Sequence, residues 1–284
     1  MLYDLHVHTT ASDGVETPEQ VITKAAQIGL AGIAITDHDT VDGLEPALQF
    51  IQAHGKNIDF IPGIELNTDF GDDEVHILGY FIDYHDEHLI NRLMEIRTQR
   101  YQRAEKMIDK LKEIGLSISF ENVKKLAQGD LIGRPHIARA LQQAGYVLSE
   151  EEAFRKYIDR GKPGYIPRYK FLPAEAIELV KQAGGISILA HPGLIKDSGK
   201  IGKIISMGVE GLEIFYPEHN SDQIMEFTRL ARQHCLLITG GSDFHGGGSS
   251  ESRNRLGFAG INTDMMEKIR AYYAYKNQNK IDKI

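Results

Sequence analysis

Residues 31–39 read AGIAITDHD: a short apolar run ends at Thr36 and is followed at once by Asp37, His38 and Asp39. An uninterrupted apolar run of this length is typical of a buried β-strand. Proteins that alternate strands with helices bind their ligands at the carboxyl ends of parallel strands. The stretch therefore predicts a buried parallel strand with a polar site at its end.

Similar apolar runs recur along the chain and alternate with helical patterns. Before the 31–39 stretch, Thr17 and Gln20 have the spacing of a capping box, and the helix that they begin is expected to end at Gly29. We predict strands at 2–8, 31–36, 58–66, 74–81, 186–190, 211–215, 236–239 and 256–261. This alternation predicts an α/β fold with parallel strands and covering helices. Seven or so strands suggest a closed or nearly closed βα barrel, with a doubly wound sheet as the alternative.

The sequence changes character after residue 84. From there to about residue 161 it is charged and helical, with helices predicted at 87–114, 121–128, 135–144 and 150–159. Residues 162–167, rich in Pro and Gly, resemble a hinge. We therefore predict a barrel made of residues 1–84 and 168–284, interrupted by a helical insertion, or lid, at 85–167. The polar residues 273–284 are expected to form a frayed terminus.

Composition excludes several classes of protein. The 284 residues are 42% apolar, enough for a sizeable core, and carry a formal net charge of −8. Such an acidic balance argues against a protein that grips duplex DNA through phosphate contacts. The single cysteine, Cys235, excludes a disulfide framework and a cysteine-based metal site. With no signal peptide or bilayer-spanning run in the sequence, we expect a cytoplasmic protein with no membrane contact. The sequence makes no prediction of oligomeric state.

Histidines and carboxylates fall repeatedly in or just after the predicted strands. His6 and His8 are two apart on a strand, so both rings lie on one face and can bind one ion. Taken singly, Asp13 fits an ordinary turn, Glu65 a solvated carboxylate and His76 a core histidine. Taken together, these residues predict one shared site, because the strand ends of a barrel meet on one face. The nine candidate metal ligands are His6, His8, Asp13, His38, Glu65, His76, His191, Asp243 and His245.

Nine nitrogen and oxygen donors are too many for one ion, because four-coordinate zinc uses about four. Two or three divalent ions that share a bridging carboxylate would use them all. The mixture of imidazole and carboxylate without cysteine suits Mn²⁺, Zn²⁺ or Fe²⁺. Clustered divalent ions are typical of phosphoryl-transfer enzymes. Bound cations would also offset the net negative charge of the chain, which would otherwise repel an anionic substrate.

These residues resemble the motifs of the polymerase and histidinol phosphatase (PHP) superfamily of metal-dependent phosphoesterases. The matching motifs are His6-x-His8, Asp13-Gly14, Thr36-Asp37-His38-Asp39, Gly63-x-Glu65, His76, His191-Pro192 and Ser242-Asp243-x-His245. The resemblance implies a distorted (βα)7-type barrel and a trinuclear site, with Mn²⁺ as the favoured metal.

The resemblance also implies a division of the ligands among three ions. His6, His8, Glu65 and Asp243 would hold the first ion, and Asp13, His38 and His245 the second. Glu65 would bridge to a third, held by His76 and His191. Asp13 and His191 would then be essential for catalysis.

Motifs in the insertion resemble those of one branch of the superfamily. Gly133-Arg134-Pro135-His136-Ile137-Ala138 and Lys162-Pro163-Gly164-Tyr165 look like those of the bacterial branch that hydrolyses nucleoside phosphates. That branch includes 3′,5′-nucleotide bisphosphate phosphatases, some of which trim short RNA from the 5′ end. The implied substrate is a nucleotide phosphate such as pAp, AMP or the 5′ end of a short oligoribonucleotide.

Residues of the insertion and one barrel loop are the candidates for substrate binding. Arg134 and His136 flank a proline at a predicted helix start, where an arginine can bind phosphate oxygens bidentately. His219 follows a strand and is predicted to bind phosphate or protonate the leaving oxygen. Lys162 and Tyr165 are further candidates, the tyrosine as a stacking surface for a base. Each also has a plainer interpretation: a surface arginine, a loop histidine or a core tyrosine.

The resulting hypothesis is hydrolysis of a phosphomonoester by metal-activated water, with Arg134 and His219 as catalytic residues beside the metal ligands. Asp37 or Asp39 would orient groups around those ligands. Three alternatives stay open: a histidinol-phosphate phosphatase, a 3′–5′ exonuclease and a non-catalytic metal-binding module.

Overall fold

The computed structural model describes residues 1–127, 132–167, 169–247 and 255–281. Eight strands are formed within these ranges: β1 Leu2–Val7, β2 Gly32–Ile35, β3 Asp59–Phe70, β4 Asp73–Tyr80, β5 Ile186–Leu189, β6 Gly211–Phe215, β7 Leu237–Gly240 and β8 Ile261–Asn262. The α-helices are α1 Pro18–Gln27, α2 Leu44–His54, α3 Glu87–Glu113, α4 Phe120–Leu126, α5 Arg134–Gln143, α6 Glu150–Ala153, α7 Pro173–Gln182, α8 Gly199–Ser206, α9 Ser221–Gln233 and α10 Thr263–Ile281.

The strands form one sheet in the order β7-β6-β5-β4-β3-β2-β1-β8. The pairs β1–β2, β2–β3, β5–β6 and β6–β7 are parallel, as predicted. In contrast, β4 is antiparallel to both β3 and β5, and β8 is antiparallel to β1. The reason for the first departure is the short connection at Gly71 and Asp72, which makes β3 and β4 a hairpin.

The sheet curls into a nearly closed barrel. Val7 forms an isolated parallel bridge with Phe244, and the His8 N–H donates to the Phe244 carbonyl at 2.8 Å. The chain after β7 can come this close to β1 only with a glycine at position 241, because a Cβ there would lie 2.4 Å from the backbone nitrogen of His6. The predicted α/β barrel is therefore confirmed, and the doubly wound alternative is not the one formed.

The helices between β4 and β5 have a hydrophobic core of their own. Met107, Leu111, Val123, Leu141 and Ile158 are among its buried members. The barrel is packed around separate apolar clusters, one of them between the sheet and its covering helices. Division of the chain at residues 84 and 167 stays a prediction.

Two predictions about the end of the chain were wrong. Residues 256–261 do not form a full strand, because only Ile261–Asn262 pair with β1. As far as residue 281 the terminus is helical rather than frayed, since α10 packs on the barrel through Tyr272 and Lys276, whose Nζ donates to the Gly185 carbonyl at 2.7 Å. Residues 282–284, the rest of the predicted frayed segment, lie outside the described residues. Gln128, the predicted end of the second inserted helix, lies outside the described residues. None of the helices in the described ranges is long and apolar enough to cross a membrane.

Candidate metal centre

All nine predicted ligands meet at one end of the barrel. They reach it from different elements, because each lies in a strand or in the loop that follows one. His6 belongs to β1, Glu65 to β3 and His76 to β4. His8, Asp13, His38, His191, Asp243 and His245 lie in the connections after β1, β2, β5 and β7.

The first group of side chains is the most deeply buried. His6, His8, Glu65 and Asp243 offer four atoms that lie within 4.8 Å of one another. Glu65 Oε2 is 3.3 Å from Nε2 of both His6 and His8, and Asp243 Oδ1 is 3.1 Å from Nε2 of His8. These four side chains are arranged to hold one cation.

Two further groups share members with the first. His8, Asp13, His38 and His245 form the second group, in which His245 Nε2 is 3.3 Å from Asp13 Oδ1. The third group consists of His38, Glu65 and His76.

His191 joins the third group through a carboxylate. Nδ1 of His76 lies 2.8 Å from Oε1 of Glu65, and Nε2 of His191 lies 3.1 Å from the same oxygen. Glu65 therefore contacts both the first and the third group through its two oxygens.

The donor set fits divalent cations. Within the cluster, five buried atoms have no hydrogen-bond partner among the described residues: Nε2 of His6, both ring nitrogens of His8, Nδ1 of His38 and Oε2 of Glu65. Buried polar atoms without partners are costly, and bound cations would satisfy those that offer a lone pair, which for a neutral His8 ring is one of the two nitrogens. The chain therefore has the donors of a metal site, supplied by imidazole and carboxylate.

The charges of the cluster lead to the same conclusion. Burial opposes ionisation of Glu65, yet His38, His6 and His76 hold the pKa of that carboxyl well below its usual range. For His8, Asp243 and Glu65 overcome the effect of burial and raise the pKa to about 10. Glu65 is thus ionised and His8 protonated at neutral pH in the metal-free site, and a divalent cation would take the place of the positive charge that the protonated ring supplies.

A buried carboxylate that the sequence analysis missed supports two of these histidines. Glu213 on β6 is fully buried, with Oε1 2.9 Å from Nδ1 of His6. Its Oε2 accepts the backbone N–H of His191 at 2.8 Å. A partner on Nδ1 fixes the ring and leaves Nε2 directed at the cluster. The available signal was an acidic residue inside the apolar run GLEIF.

Other buried aspartates hold the loops that carry the ligands. Asp37 accepts from the N–H and the hydroxyl of Thr9, both at 2.7 Å, in the loop that leads to Asp13. Asp4, also missed, accepts the Ser242 N–H at 2.8 Å beside Asp243. These contacts agree with the predicted orienting role of Asp37.

Arg134 and His136 both line a cavity of about 130 Å³ above the cluster. Arg134 begins α5, and its Nη2 is 2.8 Å from Oε2 of Glu74. His136 is buried, and its Nδ1 accepts the Gly133 N–H at 3.0 Å. Burial lowers the pKa of His136 to about 4, so its ring is neutral and carries its proton on Nε2.

Lys162 and Tyr165 line a second, larger cavity of about 510 Å³. It adjoins the first, because Arg134, His76 and Glu74 line both. The Arg103 guanidinium lies over the Tyr165 ring, 5.7 Å from its centroid.

His219 lies near the site but makes different contacts from those expected. Its Nδ1 donates to the Ile214 carbonyl at 2.9 Å, and its Nε2 accepts the Gly193 N–H at 3.1 Å. It is not among the residues that line either cavity. With both nitrogens bonded to backbone, the ring holds the turn after His191, a residue at a φ of 27°. Because both of its nitrogens have backbone partners, these contacts support neither of the roles predicted for His219, phosphate binding and protonation of the leaving oxygen.

Comparisons with known proteins agree with this geometry. The model of the PHP domain family matches residues 4–167. The chain is 35% identical over 250 residues to the 5′-3′ exoribonuclease Rnm of Escherichia coli strain K12, covering 86% of this chain and 85% of that protein. It is 35% identical over 252 residues to the 3′,5′-nucleoside bisphosphate phosphatase of Chromobacterium violaceum, covering 86% and 87%. A Bifidobacterium adolescentis protein assigned to the metal-dependent phosphoesterases superimposes with a TM-score of 0.85 at 32% identity, covering 94% of each chain.

Proposed function

Because the chain belongs to the PHP domain family of metal-dependent phosphoesterases, we propose that this hydrolase removes a phosphate from nucleotides. The substrates would be 3′,5′-bisphosphonucleotides such as pAp, with AMP and the 5′ end of short RNA as further candidates. The observation that carries the proposal is a small cavity with arginines on its wall directly above the cluster of histidines and carboxylates.

The proposed cofactor is two or three divalent ions, with Mn²⁺ favoured over Zn²⁺ or Fe²⁺. His6, His8, Glu65 and Asp243 would hold one ion, and Asp13, His38 and His245 a second. His76 and His191 would hold a third together with Glu65. Such ions supply Lewis-acid charge and lower the pKa of bound water toward about 7. The unpartnered buried donors of His6, His8, His38 and Glu65 support this assignment.

The sizes of the two cavities favour a mononucleotide or a chain end. The inner cavity of about 130 Å³ suits a phosphate group, and the adjoining cavity of about 510 Å³ leaves room for the rest of a nucleotide. Small-ligand pockets are generally a few hundred Å³. Because cavities of this size suit a nucleotide better than a duplex, we propose a small-molecule nucleotide or a short oligoribonucleotide as the partner.

The insertion would recognise the substrate. Arg134 and His136 face the inner cavity, where a guanidinium, an Nε2–H and the first turn of α5 suit an anion. Lys162 and Tyr165 line the outer cavity and would contact the nucleoside or a second phosphate. We propose that residues 85–167 act as a lid whose arginines bind the phosphate that the barrel hydrolyses.

Phosphate release from a matched set of substrates tests the proposal. Metal-stripped protein is reloaded with Mn²⁺, or with Zn²⁺, and incubated with pAp, AMP, a short 5′-phosphorylated RNA and histidinol phosphate. We expect rapid release from pAp with one phosphate retained, and the product identifies the phosphate that leaves. Release from histidinol phosphate alone would refute the proposal, as would stable metal binding without turnover of any of the four.

A further inference from the structure

Arg139, a residue of α5 in the lid, reaches the barrel loop that carries Asp13. Its Nη2 donates to the backbone carbonyl of Asp13 at 3.2 Å, and its Nε donates to Oε1 of Glu150, the first residue of α6, at 3.0 Å. A guanidinium can make both contacts at once, because its N–H groups point in fixed directions. Arg139 is not among the residues that line either cavity. It therefore joins the lid to the metal centre and not to the space for substrate.

The position of Arg139 follows the position of the lid. Its neighbours on α5 are buried in the separate hydrophobic core of the inserted helices, namely Ile137, Ala138, Ala140 and Leu141. A helix that is close-packed in such a core moves together with it. The guanidinium can therefore reach the Asp13 carbonyl only while the inserted helices lie against the barrel.

The peptide group that Arg139 contacts is held from both sides. The carbonyl of Asp13 accepts from the lid, and the N–H of Gly14 in the same peptide donates to the Thr9 carbonyl of the barrel at 3.0 Å. A Cβ on Gly14 would lie 2.9 Å from the backbone carbonyl of His8, so the loop lies directly against that predicted ligand. The orientation of the Asp13–Gly14 peptide is thus set jointly by the barrel and by the lid.

The Asp13 carboxylate extends from this peptide into the second ligand group. Its Oδ1 is 3.3 Å from Nε2 of His245, and its Oδ2 is 3.9 Å from Nε2 of His38. Distances between a metal ion and its ligands are defined to within about 0.2 Å. A small rotation of the Asp13 peptide would therefore be enough to weaken an ion held by this group.

We propose that Arg139 is a positioning residue that couples docking of the lid to divalent-cation binding in the second ligand group. The lid must lie on the barrel for Asp13 to complete that group, and a cation bound there holds the lid in place in return. The inference rests on the divalent ions of the proposed function and adds a regulation of their site. Such coupling is reciprocal, and it usually changes affinity about 5- to 150-fold.

The competing explanation is that Arg139 only strengthens the packing of the lid, and Arg97 on α3 is the matched control. Arg97 Nη2 lies 2.5 Å from Oδ2 of Asp42, so it also joins the inserted helices to the barrel. Its side chain is 28% exposed, against 24% for Arg139. Asp42 is not a predicted ligand, and Arg97 is not among the residues that line either cavity. A packing role predicts similar effects at the two positions.

The first measurement is calorimetric titration of metal-stripped protein with Mn²⁺. In Arg139→Gln we expect one ion to bind about 5- to 20-fold more weakly, because Asp13 loses a hydrogen bond from a charged, partly exposed donor. The remaining ions should bind as in the wild type. Arg97→Gln should change every Mn²⁺ affinity less than about threefold, because exposed ion pairs contribute little.

The second measurement is amide hydrogen exchange, which separates coupling from packing. In the wild type, Mn²⁺ should slow exchange in α5, because the bound cation holds the lid down. In Arg139→Gln this effect of Mn²⁺ should be lost, while exchange at residues 107–111 in the core of the lid stays that of the wild type. A residue that only packs would instead speed exchange equally with and without Mn²⁺.

Asp13→Asn tests the same coupling from the barrel, and does so even if Arg139→Gln fails to fold. Asparagine keeps the backbone carbonyl that Arg139 contacts but removes the charged ligand. Because coupling is reciprocal, Mn²⁺ should no longer slow exchange in α5 of this variant.

Wild-type affinity for every Mn²⁺ ion in Arg139→Gln would overturn the proposal, as would equal weakening in Arg97→Gln. Exchange in α5 that does not respond to Mn²⁺ in the wild type, or that still responds in Asp13→Asn, would also overturn it. If the wild type hydrolyses none of the nucleotides, the proposed function fails. The Mn²⁺ titration and the exchange measurements still decide the role of Arg139 in that case.

Discussion

Replacing Glu213 with glutamine should weaken metal binding, although Glu213 is not one of the predicted ligands. Its carboxylate contacts Nδ1 of His6 at 2.9 Å and accepts the His191 N–H at 2.8 Å. The first contact keeps the proton of His6 on Nδ1 and leaves Nε2 directed at Glu65 and Asp243. Glutamine preserves the shape of the side chain but removes the negative charge that makes the imidazole a stronger ligand.

The size of the effect follows from the number of contacts. Loss of one such supporting partner costs about 10- to 100-fold in metal affinity, which corresponds to about 1.4–2.7 kcal/mol. Glu213 supports two of the nine predicted ligands, so we expect a loss near the upper end of this range. Titration calorimetry of metal-stripped protein with Mn²⁺ measures the affinity directly, and mass spectrometry gives the number of ions bound.

Glu210→Gln is the matched control. Glu210 precedes β6 at the opposite end of the strand, where it binds the Ser187 N–H at 3.0 Å and Lys276 Nζ at 2.7 Å. Its replacement should lower thermal stability while leaving the Mn²⁺ affinity unchanged. Wild-type Mn²⁺ affinity in Glu213→Gln, or equal weakening in both variants, would refute the reasoning.

Three further predictions concern the cluster, the cavity and the lid. Asp13→Ala should reduce turnover of pAp below detection, because Asp13 belongs to the second ligand group, while the circular dichroism spectrum stays native. Wild-type turnover in this variant would contradict the site assignment. Glu74→Gln should lower the KM for pAp about two- to fivefold, because Arg134 loses a competing carboxylate 2.8 Å away. Glu74 also lies 3.3 Å from Nε2 of His76, so the metal content of the variant is measured as well. An unchanged or higher KM at wild-type metal content would show that the Arg134–Glu74 pair does not oppose substrate binding. His136 has a pKa of about 4 in the folded state, below the usual value of about 6.5, so the unfolded chain binds the additional proton and acid destabilises the fold. Between pH 7 and pH 5 the free energy of unfolding of the wild type should fall by about 2 kcal/mol more than that of His136→Gln. Urea unfolding at both pH values measures this difference. An equal fall in the two proteins would contradict the prediction.

Much of the site was predictable because strand ends are local features of a sequence. An apolar run followed by His or Asp identifies a strand and its last residue, and a barrel then brings such residues to one end. His6, His38, Glu65 and Asp243 were found in this way, although they are far apart in sequence.

The residues that were missed depend on contacts between distant segments. In the sequence Glu213 is an ordinary strand residue, and only the fold places it beside His6. Arg100 is one of several arginines on a charged helix, and only the fold places it beside Asp39. The same reason explains His219, whose two nitrogens find backbone partners that no spacing indicates. The direction of β4 depended on the tight connection after Phe70, and α10 on anchors such as Lys276.

Shared membership makes the three ligand groups interdependent. His8 belongs to the first and second groups, His38 to the second and third, and Glu65 to the first and third. Each group therefore has a member in common with each of the others, and loss of any one of these three residues damages two groups at once. Removal of a shared ligand therefore does not simplify the centre one group at a time, and evolutionary change of metal number or type should proceed through the unshared residues His6, Asp13, His76, Asp243 and His245.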